Sequence, residues 1–517
     1  MAVDTEQTQL RAFFDRRHPD YARMLAHWIF LEETYNGGRQ WFESNIFTYH
    51  KEGPVELQSR KDRAFRFNHT REAVDLVQKY LFKVEPTRSE EAPEIVKNFW
   101  KSATISNFDV SQFMRLVGAS NSIAGRVAVV VDNNFKEGAV SIAEAKESFS
   151  KIYAYEVTAK DILDFAWDEE GDGKLLWIKI RESFRDDANP LTSTGGVSER
   201  QRLWTREGWQ LFAESEELVS SGKRKVRKVV LLDEGTHNLK RVPCVFVDHN
   251  IGTNLYYAPG LIDDIAYLDR AIANYLSNLD AIIQDQTFSQ LAMPAQGVTP
   301  GSPINDTLTE LGTKRIFIYD AGSGSTAKPE YLSPDPKQAG VILTVVNKII
   351  NEIYNTIGLS GERTKEDNAV GIDNSSGVAK AYDFERVNSL LLSKAKSCEI
   401  AENEIAEIVC LWAGESIPKE NLVKYPDTFD VMRLADDLTV AESLGKIMAP
   451  LEVRREQMKS VVDKLFPQLK KEIKEKIMAD IGTWLEGTDV LISAPTAFGN
   501  KTTTAPKRQG QVTNKTV

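Results

Sequence analysis

The stretch Leu261–Leu291, LIDDIAYLDRAIANYLSNLDAIIQDQTFSQL, decides how this chain is read. It contains neither proline nor glycine. Its apolar residues Ile262, Ile265, Leu268, Ile272, Tyr275, Leu276, Leu279, Ile282 and Ile283 recur mostly at gaps of three and four. That is the period of a helix with one apolar stripe. At about 1.5 Å per residue it predicts a rod of roughly 46 Å. A second stretch, Gln338–Leu359, has the same period in Ile342, Val345, Val346, Ile349, Ile350, Ile353 and Ile357. Its β-branched residues lower its intrinsic helix propensity, so packing must hold it. Between the two lies the insert Met293–Asp335, with Pro294, Pro300, Pro303, Pro329 and Pro334 and one clear strand, RIFIY at Arg315–Tyr319. Two long helices running out and back, with a small module at the turn, make a stalk. Period alone does not separate a stalk standing in a ring of subunits from a helical hairpin inside a globular core.

Composition sets the outer bounds. The chain has 517 residues, 42% hydrophobic and 27% charged, which is ordinary for a folded globular protein and allows several domains. Its three cysteines, Cys244, Cys398 and Cys410, each sit in apolar context and read as reduced core residues, not a disulfide frame. No N-terminal apolar run precedes a small-residue cleavage site, so no signal peptide is expected. No run approaches the length of a membrane span, so no membrane partner is expected. The net charge of −11 argues against a tight DNA gripper, because such affinity comes largely from neutralised phosphates. An acidic wall would repel DNA and let it slide.

Flanking the stalk, the first 85 residues read as helical. Arg23–Thr34 has helical spacing and is broken by Asn36-Gly37-Gly38. A polar loop follows from Tyr49 to Arg60, and Thr70 is placed to N-cap AVDLVQKYLF. Helices are expected at Pro93–Ala103 and Asp109–Ser122, then a buried strand at Val127–Asp132 (VAVVVD). Residues 150–250 hold short strands near Lys151–Val157, Leu175–Glu182, Arg202–Thr205, Gly208–Phe212, Val226–Leu232 and Val242–Asn250. Glycine turns separate them, which suggests a small antiparallel barrel or sandwich. Beyond the stalk, Ser360–Gly377 is polar and glycine-containing. Val378–Trp412 is a third long helix, and Tyr425–Leu434 a strand returning to the body. Leu451–Ile481 is helical but broken near Pro467. Residues 493–517 form a tail with four basic and no acidic residues, disordered by composition.

Chemical motifs are sparse. RIFIYDAGSGST (Arg315–Thr326) begins as phosphate loops do, but Pro329 and Pro334 stand where the helix should start, so it reads as a hairpin tip. The six histidines show no ligand spacing, and no nucleophile elbow appears. No metal, cofactor or catalytic residue is therefore assigned, and the chain reads as a non-enzyme. Two basic runs stand out. Lys223, Arg224, Lys225, Arg227 and Lys228 lie in a hairpin, and Arg60, Lys61, Arg63 and Arg66 near the N-terminal helices. Both read as solvated faces. The first stalk helix carries Asp263, Asp264, Asp269, Asp280 and Asp285 against one basic residue, Arg270, so its polar face is acidic.

The order of parts resembles a tailed-bacteriophage portal protein, the ring at a capsid vertex through which DNA is pumped. The likeness rests on several stretches. These are Tyr35-Asn36-Gly37-Gly38 followed by Asn68–Phe82; Tyr155-Glu156-Val157 leading to Asp161–Phe165 and Trp167-Asp168; Val242-Pro243 after the β-rich run; and Ser376–Tyr382 opening the long helix. The resemblance implies an α+β, predominantly helical fold of portal type. Residues 1–260 are then a wing holding the small barrel or sandwich. Residues 261–292 and 337–359 are a two-helix stem, and 293–336 an α/β clip meeting terminase and the head-to-tail adaptor through Arg315, Phe317 and Tyr319. Residues 360–377 are a tunnel loop with Glu362, Arg363, Lys365, Glu366 and Asp367. Residues 378–445 are the long helix and its return to the wing, 446–490 a helical crown and 491–517 a basic tail. The resemblance further implies a dodecameric homo-oligomer in the virion, assembled in host cytoplasm beside major capsid and scaffolding proteins. Double-stranded DNA would pass the five stem aspartates. A non-portal head-completion ring, or a nucleic-acid processing enzyme with scattered acidic residues, are the rival readings.

Overall fold

Val127 to Val131 are wholly buried, because their strand is flanked on both sides by others. The computed structural model describes residues 2–49, 52–134, 151–218, 225–250, 256–287, 290–294, 316–319, 328, 330–332, 337–358, 377–427, 429, 450–465 and 471–484. They divide between two compact units, Met1–Phe429 and Asp430–Val517. The first unit opens with helices α1 (Ala2–Asp15), α2 (Tyr21–Asn36), α3 (Arg39–Asn45), α4 (Pro54–Arg63), α5 (His69–Leu81), α6 (Glu94–Lys101) and α7 (Val110–Ala124). Helix α4 occupies most of the stretch expected as a polar loop. Helix α5 is capped by Asn68, whose side chain accepts from Arg71 N, and not by Thr70.

The buried strand is β2 (Arg126–Asn133), lying between β3 (Ile152–Thr158) and β9 (Cys244–Asp248) in an antiparallel sheet. A second sheet runs as a meander: β4 (Ile162–Trp167), β5 (Leu175–Arg185), β6 (Val197–Thr205), β7 (Gly208–Leu218) and β8 (Lys225–Thr236). No pairing of β4 with β8 closes it among the described residues, so of the expected barrel or sandwich the structure has two open sheets, one of five strands and one of three, that share a core. The core between them takes Val130, Val157, Ile162, Leu163, Phe165, Ile178, Ile180 and Trp204 from the strands and Tyr21 and Trp28 from α2. The fold is mixed α+β, with about half of the described residues in helices, and antiparallel sheets beside them.

Helix α7 is fixed at both ends. Asp109 accepts from Gln112 N at 2.7 Å in a reciprocal capping box. Asp109→Ala should cost about 1 kcal/mol in urea unfolding, the usual worth of such a cap. At the other end Gly125 has φ +79°, and an added Cβ would lie 1.8 Å from Ala258 O. Only glycine lets the α7–β2 corner meet the segment that enters the stalk.

The stalk helices are α8 (Ile265–Thr287) and α9 (Lys337–Thr356), shorter than the periodicity predicts and packed on each other. Residues 261–264 form a turn. At the far end β10 (Gln290–Pro294) pairs parallel with β11 (Ile316–Tyr319) and antiparallel with β12 (Glu330–Leu332). The glycine-rich motif and the residues 360–376 lie outside the described residues. The third long helix, α10 (Gly377–Ala413), touches α5, α6, α7, β2 and β9. After it β13 (Val423–Lys424) pairs with β1 (Thr87–Arg88), just ahead of the expected strand Tyr425–Leu434, of which 428 and 430–434 lie outside the described residues. In the second unit α11 (Leu451–Leu465) and α12 (Lys471–Trp484) pack together.

Candidate functional site

The carboxylates of α8 are the sharpest sequence-level candidates, and the structure shows where they go. Asp269 is wholly buried. Its Oδ2 takes Arg66 Nη1 at 3.0 Å, the Thr70 hydroxyl at 2.9 Å and the Thr70 amide at 3.3 Å. Its Oδ1 is buried without a hydrogen-bond partner among the described residues. Burial pushes its carboxyl up and the Arg66 charge opposes that. The Arg66 guanidinium lies 3.9 Å over the Trp41 ring, and burial pulls its own proton affinity down. Asp269 thus locks α8 to the N-terminal helices and does not face solvent, contrary to the expectation that it lines a bore. The sequence missed this because its partner stands about 200 positions away.

The remaining aspartates divide. Asp263 lies 3.6 Å from His27 Nε2, and Asp264 is exposed in the turn before α8. Asp280 pairs with Arg63 at 3.0 Å on a half-exposed surface. A double-mutant cycle on Arg63 and Asp280 should return a coupling of about 0.5 kcal/mol, since such pairs are screened. The Asp285 side chain lies outside the described residues.

The basic run from Arg60 to Arg66 is therefore divided, with Arg60 and Arg66 buried and Arg63 exposed. Arg60 is buried with Glu52 at 2.7 Å and reaches Ser277 Oγ at 3.1 Å and Asn278 Oδ1 at 3.3 Å on α8. The Arg60 hydrogen bonds hold the Glu52 carboxyl below its ordinary value. Arg270, the basic residue of α8, sits over the rings of Phe30, Phe47 and Tyr267 at 4.6 to 5.2 Å. Of the other run, Arg227 and Lys228 are exposed on β8 opposite Glu216 and Ser215 of β7, while Lys223, Arg224 and the Lys225 side chain lie outside the described residues.

The N-terminal helices cover one side of α8, which still exposes Tyr267, Tyr275 and Ile283, and the longer open face of the hairpin is on α9. It buries Val346, Ile350, Ile353 and Tyr354 and exposes Val341, Thr344, Asn347, Lys348, Asn351, Glu352 and Asn355. That face is close to neutral. Phe317 and Tyr319 lie on β11, but their side chains, like Arg315 as a whole, fall outside the described residues. So do Glu362, Arg363, Lys365, Glu366 and Asp367.

One buried centre had a sequence signal that was overlooked. Lys394 sits on the apolar stripe of α10, three residues past Leu391 and four before Cys398, and is wholly buried. Its Nζ meets Gly118 O at 2.8 Å, Asn121 Oδ1 at 2.5 Å, Ser122 Oγ at 2.6 Å and His249 Nδ1 at 3.2 Å. Burial pulls the amine down to about 7 and holds His249 well below its ordinary range. A lysine on a helix's apolar stripe is the pattern to look for.

Among the described residues no group of His, Cys, Asp and Glu is placed to hold a metal ion, and no helix is long and apolar enough to cross a membrane. No protein-family model matches the chain, and no curated protein does. Similar solved structures include a chain of a particle described as "Neck of empty GTA particle computed with C6 symmetry". It is 12% identical, over 79% of this chain and 94% of that one, with a TM-score of 0.37. Another belongs to "Virion of native gene transfer agent (GTA) particle", 11% identical over 80% of this chain and 94% of that one, TM-score 0.36. Likeness of this size leaves both fold and role to be argued from the chain itself.

Proposed function

We propose that the chain is the subunit of a portal-type ring, a structural protein at one capsid vertex through which a double-stranded genome is packaged and ejected. The observation that carries this reading is the chain order. A rod (α8) leads directly into a three-stranded module (β10, β11, β12), a second rod (α9) returns along the first, and the long helix α10 ties the return to the body. A hairpin with its own module at the tip suits a stem and clip better than a core. In this reading the clip strand with Phe317 and Tyr319 meets terminase and then the adaptor. Arg363 and Lys365 brush phosphates, and a dozen copies surround the bore.

The stem's chemistry shifts with the burial of Asp269. In this reading the bore is faced by the near-neutral surface of α9, with Asp264 at its entrance, and not by an acidic stripe on α8. A surface with few cations forms few phosphate contacts, so DNA of any sequence slides without being held. The test is negative-stain imaging and light scattering of the purified chain. Rings with an open axial hole are expected. A monomer at micromolar concentration would overturn both the portal reading and its head-completion rival.

A further inference from the structure

Helix α5 closes one side of the stalk hairpin. It reaches α8 through Thr70, whose hydroxyl donates to Asp269, and α9 through His69 and Glu72, which meet the Tyr354 hydroxyl at 3.2 Å and 2.5 Å. A helix turns about 100° per residue, so Val345 stands about 180° round α9 from Tyr354, and Val341 and Ile349 about 140°. On α8, Ala271, Tyr275 and Ile282 stand about 120° to 160° round from Asp269 by the same count. Val341 is 64% and Tyr275 38% exposed, and the other four are partly exposed. Each stalk helix therefore carries an apolar stripe on the side turned away from α5. We infer that, within the ring reading, a second copy of the chain covers this face and brings Phe65, Phe67 and Arg71 to it.

The occupant follows from the opposite side of the same subunit. A ring is closed by a head-to-tail contact, which joins two different patches of one chain. Phe65 and Phe67 lie between α4 and α5, exposed at 46% and 59%, with their rings edge to face at 6.3 Å. The Phe67 ring is 6.2 Å from His69, which places the pair on the α5 side. One side of the hairpin thus offers two phenylalanines to water, and the other offers an apolar stripe. Exposed apolar groups of this kind mark association surfaces, and aromatic residues and arginine are enriched in them.

Level and charge agree with that pairing. Rotation about a ring axis keeps each residue at its own height, so the two patches must stand at the same level. Phe67 is tied through His69 to Tyr354, and Ile349 is only about 8 Å along α9 from Tyr354. Arg71, one turn beyond Phe67, is exposed, with its guanidinium over the Tyr35 ring and on the Tyr35 and Asn36 carbonyls. Glu352, one turn beyond Ile349, is exposed with the opposite charge. Opposite charges beside an apolar contact fix its register.

A bis-maleimide cross-linker tests the contact in the full chain, since Cys244, Cys398 and Cys410 are buried. Phe67→Cys and Val345→Cys placed in one chain should give a covalent ladder beyond the dimer on a denaturing gel, and each alone should stay monomeric. Tyr275→Asp, checked for folding by circular dichroism, should lower the assembled fraction in light scattering about tenfold or more. Asn351→Asp, on the exposed face of α9 between its two flanks, should leave that fraction unchanged. Rings in negative stain without a ladder overturn this contact and leave the ring reading standing, whereas chains that form neither overturn both. Dimers from a single-cysteine variant, which signal a two-fold contact, or full assembly of folded Tyr275→Asp, also overturn it.

Discussion

Replacing Arg66 by methionine should destabilise the first unit by about 3–5 kcal/mol, because it leaves the Asp269 carboxylate buried without its counter-charge. The Arg66 and Asp269 side chains are 4% and 0% exposed, so water cannot take over the role of the guanidinium without opening the α5–α8 contact. Removing both charges should cost far less. Arg66→Met combined with Asp269→Leu puts apolar atoms where an ion pair stood, a swap that is often neutral or stabilising. Thr70 then keeps a hydroxyl without its acceptor, which accounts for a residual loss. Urea unfolding of the two single variants and the double completes the cycle. A single-variant loss under about 1 kcal/mol would contradict a fully buried pair.

Lys394 should make stability climb with pH above neutrality. In the folded chain its amine is held at about 7, against the ordinary 10.5. Between those values the unfolded chain binds more protons than the folded one, so raising the pH favours folding. His249, held well below its ordinary 6.5, acts with the same sign further down: stability falls as pH drops through 6.5. Lys179, pulled down to about 8 by burial, adds to the climb over a narrower range. Cys398 and Cys244, pushed up to about 11 and about 12, oppose it above the ordinary thiol value of 9. The clean window is therefore about pH 7 to about pH 8.5. There the wild-type slope should exceed that of Lys394→Met by up to about one proton per unfolding event. Identical slopes would mean that the amine exchanges its proton as freely as in water.

Periodicity revealed much of this fold and misled in definite places. Both stalk helices, the long α10 and the buried strand β2 follow from the spacing and nature of their apolar residues. The strand Ile162–Trp167 was missed because ILDFAW neither alternates nor runs apolar throughout, and a bulge breaks its register. Barrel or sandwich is undecidable from sequence, since closure depends on which distant strands pair. The larger error concerns charge. A run such as Arg60–Arg66 and a stripe such as Asp263–Asp285 each look solvated when read alone. Buried pairing appears only when the fold brings Arg60 to Ser277 and Arg66 to Asp269. Sequence pattern shows which face of a helix is apolar, but not which polar residue on its flank will be matched from elsewhere.

The length of α10 has a mechanical consequence. Its 37 residues span about 55 Å as one continuous rod. Along the way it is pinned by Lys394 to α7 and by Glu402 to Arg88 at 2.7 Å. Near its end the Trp412 indole donates to Val131 O on β2 at 2.9 Å. A push delivered at Gly377 therefore has no soft joint in which to dissipate. It arrives as a displacement of the central strand of the three-stranded sheet, so that whatever strikes the start of this strut is felt at the far end of the helix.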